Sequence, residues 1–397
     1  MSTITNNTLH INSKLPDIGT SIFTIMSKMA LDYNAINLSQ GFPDFNCSDE
    51  LIELVNHYQH KGFNQYAPMS GIPQLREQIS LKIQKFYNAL YHKDSEITVT
   101  AGATQAIYTA ITTVVKPGDE VIILEPAYDS YGPGVKASGG IPVFVKLVPP
   151  VYSYDWDTIR KSINDKTSLI ILNSPHNPTG SLITKDDILQ LEELTSDTDI
   201  KIISDEVYEH VVFDGNEHTS LASSEKLAER TFVISSFGKT FHTTGWKMGY
   251  CAAPEYLMKE FRKMHQFVVF SVNTPIQHAY ADYLQDENHY LHLNEFYQSK
   301  RDILRNTLAG SKFKLLPCKG TYFQLLSYGG ISDLNDKEFS EYLTKEKGIA
   351  VIPLSPFYNE GNNEYIIRVC FAKQDEVLNK AAEILSKFKI ENKFLLM

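Results

Sequence analysis

Short apolar runs alternate with amphipathic stretches between residues 97 and 234, and this alternation constrains the fold more than any other feature of the chain. Apolar residues spaced three and four positions apart predict helices at 106–115 and 186–194. The apolar runs themselves predict buried strands at 97–100, 121–124, 141–145, 168–172, 200–203 and 231–234. Strands that alternate with helices are typical of a mostly parallel sheet with helices on both faces, so the sequence predicts an α/β fold.

The pattern changes near residue 255, where longer helices are predicted. Beyond residue 310 we predict strands at 320–326 and 365–370, together with helices at 336–345 and 375–387. A chain of 397 residues usually exceeds one simple core, so we expect two domains. We predict an N-terminal segment at 1–47, a large binding domain at 48–285 and a small α+β domain at 286–397. The N-terminal segment is expected to be a loose arm up to residue 17 and then to complete the small domain.

Composition excludes several classes of protein. A formal net charge of −10 argues against nucleic acid or an anionic membrane as the main partner. No apolar run approaches the roughly 18 residues of a membrane span, and the polar N-terminus shows no signal-peptide pattern. The cysteines are scattered without a C-x-x-C pair, which favours free thiols in a reducing compartment: Cys47, Cys251, Cys318 and Cys370. We therefore expect a cytoplasmic protein.

Polar residues follow the predicted strands at their carboxyl ends, where ligands bind in open sheets of this type. The segment Gly102-Ala103-Thr104 opens a helix, and its free backbone amides suit a phosphate. Taken alone, this segment is more typical of a plain helix N-terminus. The other clusters follow the later strands, so we expect one site along this edge of the sheet.

Lys239 follows the apolar strand at 231–234 and is a candidate nucleophile, because its amine can form an imine with an aldehyde. Ser236 and Lys247 flank it, and a hydroxyl with a cation suits a phosphate. Pyridoxal phosphate carries both an aldehyde and a phosphate on one ring. The alternative for this stretch alone is a pair of solvated surface lysines.

Asp205 ends another buried strand, where a carboxylate is costly unless it is paired. A protonated pyridine nitrogen would be such a partner and would keep the ring an electron sink. Asn177 and Tyr208 are candidate donors to a ring phenolate, and Tyr128 is a candidate for stacking on the ring. The alternatives are a helix-capping aspartate and ordinary core tyrosines. The histidines show no paired metal spacing, so no metal site is predicted.

Four segments together resemble the class I aminotransferases of the fold-type I pyridoxal phosphate family. They are Asn177-Pro178-Thr179-Gly180, Asp205-x-x-Tyr208, Ser235-Ser236-Phe237-Gly238-Lys239 and a late Arg368. The similarity extends over residues 20–390. The runs at 37–45, 64–69 and 98–104 resemble the bacterial methionine aminotransferase branch, which neighbours the kynurenine/glutamine aminotransferases and the cysteine-conjugate β-lyases.

The resemblance implies a role for each of these residues. Lys239 would hold the cofactor as a Schiff base and then carry the proton between Cα and C4′. Asp205 would pair with the ring nitrogen, while Tyr208 and Asn177 would hydrogen-bond the phenolate oxygen. The phosphate would be held by the helix start at Gly102, Ala103 and Thr104, by Ser236 and Lys247, and by Tyr66 of a partner subunit in a homodimer. Arg368 would bind the substrate carboxylate, helped by Asn177 and the backbone at Gly41.

The side-chain pocket is predicted to be apolar. Dicarboxylate-specific relatives present a second arginine where this chain has residues 265–275, which contain none. Phe23, Tyr66, Tyr128 and Phe270 suggest an aromatic pocket for methionine, aromatic, leucine, glutamine or kynurenine side chains, or simply packing at a dimer interface. Lys247 departs from the arginine usual across the wider class, although the glutamine and kynurenine relatives share the lysine.

We therefore predict transamination from methionine or aromatic amino acids to a 2-oxo acid. The nearest alternative is a cysteine-conjugate β-lyase on the same scaffold, because both reactions begin with loss of the Cα proton. A non-catalytic regulator is the alternative from another class. The non-basic N-terminal segment argues against it, since such regulators carry an added DNA-binding segment.

Overall fold

The computed structural model describes residues 11–388. The first ten residues of the predicted N-terminal arm and the last nine residues of the predicted C-terminal domain lie outside this described part. The strands are β1 Ile36–Asn37, β2 Ile97–Thr100, β3 Glu120–Glu125, β4 Ile141–Lys146, β5 Thr167–Asn173, β6 Lys201–Asp205, β7 Thr231–Ser236, β8 Gly249–Ala252, β9 Lys314–Leu315, β10 Phe323–Ser327, β11 Ile349–Ala350, β12 Ile352–Pro353 and β13 Ile366–Cys370.

The structure has helices at each of the four ranges that the sequence analysis gives, 106–115, 186–194, 336–345 and 375–387. The helices are α1 Ile22–Asp32, α2 Asp49–His60, α3 Pro73–Tyr87, α4 Ala103–Val114, α5 Tyr131–Ala137, α6 Trp156–Ser162, α7 Lys185–Thr195, α8 Glu225–Ala228, α9 Phe237–Thr240, α10 Glu255–Val268, α11 Thr274–Tyr283, α12 Asn288–Leu291, α13 Leu293–Leu308, α14 Asp336–Lys347 and α15 Asp375–Ser386. None of the described helices is long and apolar enough to cross a membrane.

The central sheet has seven strands in the order β2-β8-β7-β6-β5-β3-β4. Strands β3 to β7 are mutually parallel, while β8 runs antiparallel to both β7 and β2. The middle strands are buried along most of their length, as their mainly apolar sequences predict. Parallel strands place their carboxyl ends along one edge, so β5, β6 and β7 present Asn173, Asp205 and Ser236 side by side.

Two smaller sheets lie outside this layer. An antiparallel sheet has the order β12-β13-β10-β9, and β1 pairs in parallel with β11. The short strand from the N-terminal segment is therefore hydrogen-bonded to the C-terminal part of the chain. Arg368 lies in the middle of β13, opposite Leu325 of β10.

Several predicted boundaries are wrong, and local chemistry explains them. The amphipathic pattern after residue 73 predicts a helix to about residue 91, but α3 ends at Tyr87, where Asn88 adopts a left-handed conformation that ends the helix. Helix α4 begins at Ala103 instead of residue 106, because Gly102 (φ +77°) turns the chain directly into the helix. The stretch that carries Lys239 is a single helical turn, α9, and not a loop.

The sequence analysis also missed short elements. Strand β8 has only four residues and begins with a glycine, so it carries too little of a strand pattern to be recognised. Helices α5 and α6 have seven residues each, which is too short for a periodic signal. The missed β8 matters for the site, because it places Gly249 against the start of α4.

Candidate active site

A cavity of about 160 Å³ opens at the carboxyl edge of β5, β6 and β7. Its lining includes most of the residues predicted to bind the cofactor: Gly102, Ala103, Thr104, Tyr128, Asn177, Asp205, Tyr208, Ser236, Lys239 and Lys247. These residues come from loops and helix starts that are far apart in sequence. The sheet brings them to one place, as the strand-end argument predicts.

Lys239 lies on α9, directly after β7, and its amine points into the cavity. Its Nζ donates hydrogen bonds to the hydroxyl of Tyr322 at 2.9 Å and to the carbonyl oxygen of Gly41 at 3.3 Å. Burial lowers the pKa of this amine to about 8. Near pH 8 about half of the amine is therefore neutral, which is the form that attacks a carbonyl carbon.

Asp205 ends β6 and is 4% exposed. The hydroxyl of Tyr131 donates to its Oδ2 at 2.6 Å, and the backbone amide of Val207 donates to Oδ1 at 3.3 Å. Burial raises the pKa of this carboxyl to about 6, although both hydrogen bonds act in the opposite direction. The residue is thus a buried carboxyl that lines the cavity and would be stabilised as an anion by a cationic ligand.

A group of free backbone amides lies at the start of α4, next to Lys247. Gly102 leaves the first amides of this helix free, and Lys247 approaches so closely that a Cβ on Gly102 would lie 3.4 Å from its Cε. On the other side, a Cβ on Gly249 would lie 2.6 Å from the carbonyl oxygen of Ser235 and 3.0 Å from the amide nitrogen of Ala103. The positive φ at position 102 and the close approaches at position 249 favour glycine, and the amides and the ammonium around this position suit a phosphate.

Arg368 is 1% exposed and lies beside the cavity. Its Nη1 donates to Oδ1 of Asn177 at 2.7 Å, and its guanidinium stacks on the ring of Phe323 at 3.8 Å. Its Nε is buried without a hydrogen-bond partner. Burial lowers the pKa of this guanidinium to about 10, so it remains a cation at neutral pH. A buried cation with an unused donor suits an incoming carboxylate.

Aromatic rings surround this guanidinium. Phe23 and Phe357 lie 5.3 and 5.1 Å from its Cζ and pack edge-to-face on each other at 5.9 Å. The predicted apolar wall therefore exists at Phe23, which is half-buried. Phe357 belongs to the same wall, and the sequence analysis did not identify it.

Tyr66 and Phe270 do not line the cavity of their own chain. Their rings pack edge-to-face at 5.3 Å, and their side chains are 82% and 46% exposed. Their assignment to the site of a partner subunit therefore stays a prediction. Gly41, in contrast, reaches the site through its carbonyl oxygen, which contacts Lys239 and Tyr322.

The turn after β6 has two faces. Asp205 and Tyr208 face the cavity, while Glu206 and Glu209 point into the protein behind it. Glu209 pairs with Lys82 of α3 at 2.5 Å and also accepts hydrogen bonds from Tyr87 and Ser235. This second carboxylate ties the turn to α3 and to the end of β7, next to Ser236.

Three site residues have no predicted role in the sequence analysis. Tyr131 and Asn173 lie at strand ends, and Asn173 donates to the carbonyl oxygen of Asp205 at 2.8 Å. Their position after β3 and at the end of β5 is a signal that could have identified them. Tyr322 has no such signal, because it precedes β10 and reaches Lys239 only through tertiary packing.

Lys239 and the buried carboxyl of Asp205 thus line one cavity, beside the free backbone amides at the start of α4, in a sheet of the α/β type. The family model for aminotransferase class I and II matches residues 33–385, and the chain belongs to this family. It is therefore an aminotransferase. The predicted family and the predicted fold-type I architecture are confirmed.

Known relatives agree with this placement. A methionine aminotransferase from Escherichia coli is 49% identical over 96% of this chain and 99% of its own length. A solved structure of a methionine aminotransferase from the same organism superposes with a TM-score of 0.94 over 95% of this chain and 99% of that one. The N-succinyldiaminopimelate aminotransferase of Mycobacterium tuberculosis gives a TM-score of 0.92 at 34% identity, over 95% and 99% of the two chains. A kynurenine–oxoglutarate transaminase from Dictyostelium discoideum is 34% identical over 94% of both chains.

Proposed function

We propose that this aminotransferase uses pyridoxal phosphate to move the α-amino group of methionine and aromatic amino acids to a 2-oxo acid. Glutamine, leucine and kynurenine are further candidate donors. The observation that carries the proposal is the pairing of Lys239 and Asp205 across one cavity, each with a pKa that burial shifts toward its neutral form. This cofactor requires a lysine amine that can be neutral, as Lys239 is in part near pH 8, and a buried carboxyl that can pair with the cationic ring nitrogen.

The residues present fit the cofactor group by group. The free amides at Ala103 and Thr104, with Ser236 and Lys247, would hold the phosphate. Asp205 would pair with the ring nitrogen, Tyr128 would stack on the ring, and Tyr208 and Asn177 would donate to the phenolate oxygen. When bound, the cofactor supplies an aldehyde for the amino group and an electron sink that acidifies the Cα–H bond.

Each of this chain's residues then has a defined task. Lys239 would take the proton from the substrate Cα at its Nζ and deliver it to C4′ of the cofactor, so that the amine is neutral again after the transfer. Arg368 binds the substrate carboxylate and thereby orients the Cα–H bond toward Lys239. Asn177 fixes the guanidinium through the bond at 2.7 Å. Burial of these groups excludes water and strengthens the contacts that they make.

The proposed preference for methionine and aromatic side chains rests on the wall beside Arg368. Phe23 and Phe357 form an apolar surface there, which suits thioether and aromatic groups better than a carboxylate. The 49% identity to a methionine aminotransferase supports the same choice.

We also propose that the enzyme is a homodimer in which Tyr66 and Phe270 enter the partner's site. The support is their exposure, together with Phe267, which is 86% exposed on the neighbouring helix end. Aromatic side chains exposed this far in one region are typical of a protein interface. We further propose that residues 1–47 complete the small domain at 286–397 beside the large domain at 48–285; the pairing of β1 with β11 and the packing of α1 on α14 support this division. All cysteines are unpaired, which supports the expected cytoplasmic location.

A half-reaction panel tests the function. Purified holoenzyme is mixed with single amino acids, and the visible absorbance of the bound cofactor is followed, with Lys239→Ala as the control that lacks the amine. We expect methionine and phenylalanine to change the spectrum and aspartate to leave it unaltered. No change with methionine would contradict the substrate assignment. Release of pyruvate and ammonia from cystathionine would show β-lyase activity instead.

A further inference from the structure

Tyr322 contacts the reactive amine, and neither the sequence argument nor the proposed function gives it a role. Its hydroxyl oxygen lies 2.9 Å from Nζ of Lys239 and 2.6 Å from the carbonyl oxygen of Gly41. The side chain is fully buried, so water does not compete for these bonds. A buried hydroxyl that bonds a nucleophile directly is a candidate for a role in the reaction.

The directions of these hydrogen bonds are determined by chemistry. A carbonyl oxygen only accepts, so Tyr322 must donate its single hydroxyl proton to Gly41. The hydroxyl oxygen is then left to accept, and Lys239 donates one N–H to it and another to Gly41. A neutral amine has two N–H groups and one lone pair. With both N–H groups engaged by these oxygens, the lone pair points away from them, toward the cavity that Lys239 lines.

The tyrosine ring is itself held rigidly. It packs edge-to-face against Tyr208 at 5.0 Å and against Phe323 at 4.9 Å, and Tyr297 lies 5.5 Å away. The acceptor at Gly41 is also fixed from outside, because Lys373 donates to the carbonyl oxygen of Phe42 at 2.8 Å. The hydroxyl of Tyr322 therefore stands at a defined position relative to the lysine amine.

We propose that Tyr322 is a positioning residue that holds the free amine of Lys239, with its lone pair toward the substrate Cα, whenever that amine is not bonded to the cofactor. This inference rests on the proposed function. It adds that proton transfer at Cα depends on a residue from the C-terminal part of the chain, joined to the amine through the Gly41 segment. Small misplacements of a base are costly, since a shift of about 1 Å can reduce the rate about 100-fold.

The chain offers a matched control for the test. Tyr297 belongs to the same aromatic cluster and is equally buried, but its hydroxyl has no hydrogen-bond partner. Tyr322→Phe and Tyr297→Phe therefore remove the same atom from the same environment, and only the first removes contacts to Lys239. Both variants retain the charged or titratable groups that act on this amine: Cys370, Arg368, Asp205, Lys247 and Tyr208. Tyr322→Phe also removes the hydrogen bond between the hydroxyls of Tyr322 and Tyr208.

The first measurement uses holoenzyme in single turnovers with methionine and with Cα-deuterated methionine. We expect Tyr322→Phe to slow the cofactor spectral change about 10- to 100-fold and to raise the isotope effect, while the apparent affinity for methionine stays near that of the wild type. Tyr297→Phe should match the wild type in all three quantities. A wild-type rate and isotope effect in Tyr322→Phe would overturn the proposal.

The second measurement needs neither cofactor nor turnover. The pH dependence of the modification of Lys239 by an amine reagent, read by peptide mass, gives the amine titration in the cofactor-free protein. Loss of an acceptor should lower the apparent pKa of Lys239 in Tyr322→Phe and leave it unaltered in Tyr297→Phe. Equal titrations in the two variants would overturn the proposal, whatever cofactor the enzyme uses.

These measurements separate the two proposals. If wild-type protein shows no cofactor spectrum, the proposed function fails, and the amine titration alone decides the role of Tyr322. If the spectrum and half-reaction are normal but Tyr322→Phe behaves as wild type, only this inference fails. Should Tyr322→Phe not fold, 3-fluorotyrosine at position 322 keeps the ring and weakens the acceptor. The 3-fluorotyrosine protein should also show a slower single turnover than the wild type, and an unaltered rate would overturn the proposal.

Discussion

Replacing Lys82 by methionine measures how much the buried ion pair between Lys82 and Glu209 contributes to stability. This pair lies behind the turn that carries Asp205 and Tyr208. The side chains of Lys82 and Glu209 are 5% and 2% exposed, and their charged atoms lie 2.5 Å apart. Lys82→Met keeps the aliphatic length of the side chain but leaves the Glu209 carboxylate without its cation. Breaking a buried pair in this way costs about 3–5 kcal/mol of unfolding free energy.

The structure favours the lower end of this range. Tyr87 and Ser235 still donate to the carboxylate in Lys82→Met, so its hydrogen bonds are largely retained. We therefore expect a loss of about 3 kcal/mol at pH 7. In Lys82→Met/Glu209→Gln the uncharged amide accepts from the Ser235 hydroxyl through its oxygen and donates to the Tyr87 hydroxyl through its NH2 group, and the loss should fall to about 1–2 kcal/mol.

The pH dependence has a defined sign. Burial alone would raise the pKa of Glu209, but the attraction of Lys82 outweighs it and the pKa lies well below its usual value. In the wild type the pair therefore contributes its stability above the unfolded-state pKa of about 4.5. In Lys82→Met burial dominates, and protonation of Glu209 relieves the cost. The deficit relative to the wild type should thus shrink as the pH falls from 7 to 5.

Urea unfolding of the cofactor-saturated protein, followed by far-ultraviolet circular dichroism, measures both effects. Lys28 and Asp32 supply the control, because they pair at 2.6 Å but are 74% and 51% exposed. Lys28→Met should cost at most about 0.5 kcal/mol at any pH in this range. A deficit below about 1 kcal/mol in Lys82→Met, or one that grows on acidification, would refute the reasoning.

Three further outcomes are expected. Tyr131→Phe removes a donor to the Asp205 anion and so raises the pKa of that carboxyl further above its usual value. As the pH is lowered, cofactor binding, followed by absorbance, should therefore be lost at a higher pH than in the wild type. Gly249→Ala places a methyl group 3.0 Å from the amide of Ala103 and 2.6 Å from a carbonyl oxygen; it should weaken phosphate-dependent cofactor binding by at least about 10-fold, measured against free phosphate as competitor. Arg368→Lys loses the planar guanidinium, which can bind a carboxylate with two N–H groups and which stacks on Phe323. The kcat/KM for methionine should fall about 10- to 100-fold, while the bound-cofactor spectrum is unaltered.

The sequence predicted the sheet and most of the cavity because both depend on local pattern. An apolar run such as residues 121–124 is typical of a buried strand, and the polar residues that follow such strands meet at one edge of the sheet. Asp205 and Lys239 were therefore identified from position alone. Arg368 was found only through the family resemblance, because its own strand gives no reason to expect it near Lys239.

Residues that reach the site by tertiary packing were missed. Tyr322 and Phe357 come from the C-terminal part of the chain, and their distance in sequence from Lys239 hides the contact. Glu209 was missed for a different reason. A glutamate next to Tyr208 is typical of a solvated turn, and only the packing of α3 shows that the carboxylate is buried against Lys82.

The turn after β6 carries Asp205 and Tyr208 on the side that faces the cavity. On its other side, Glu209 holds the turn in place and so determines where those two side chains lie. Substitutions on α3, more than a hundred residues away in sequence from Asp205, act on the same five-residue turn through Glu209. Selection for new amino donors therefore has two routes, one through the aromatic wall and one through this remote support. Variants of the second kind would retain every residue of the cavity and still bind the ring at an altered tilt.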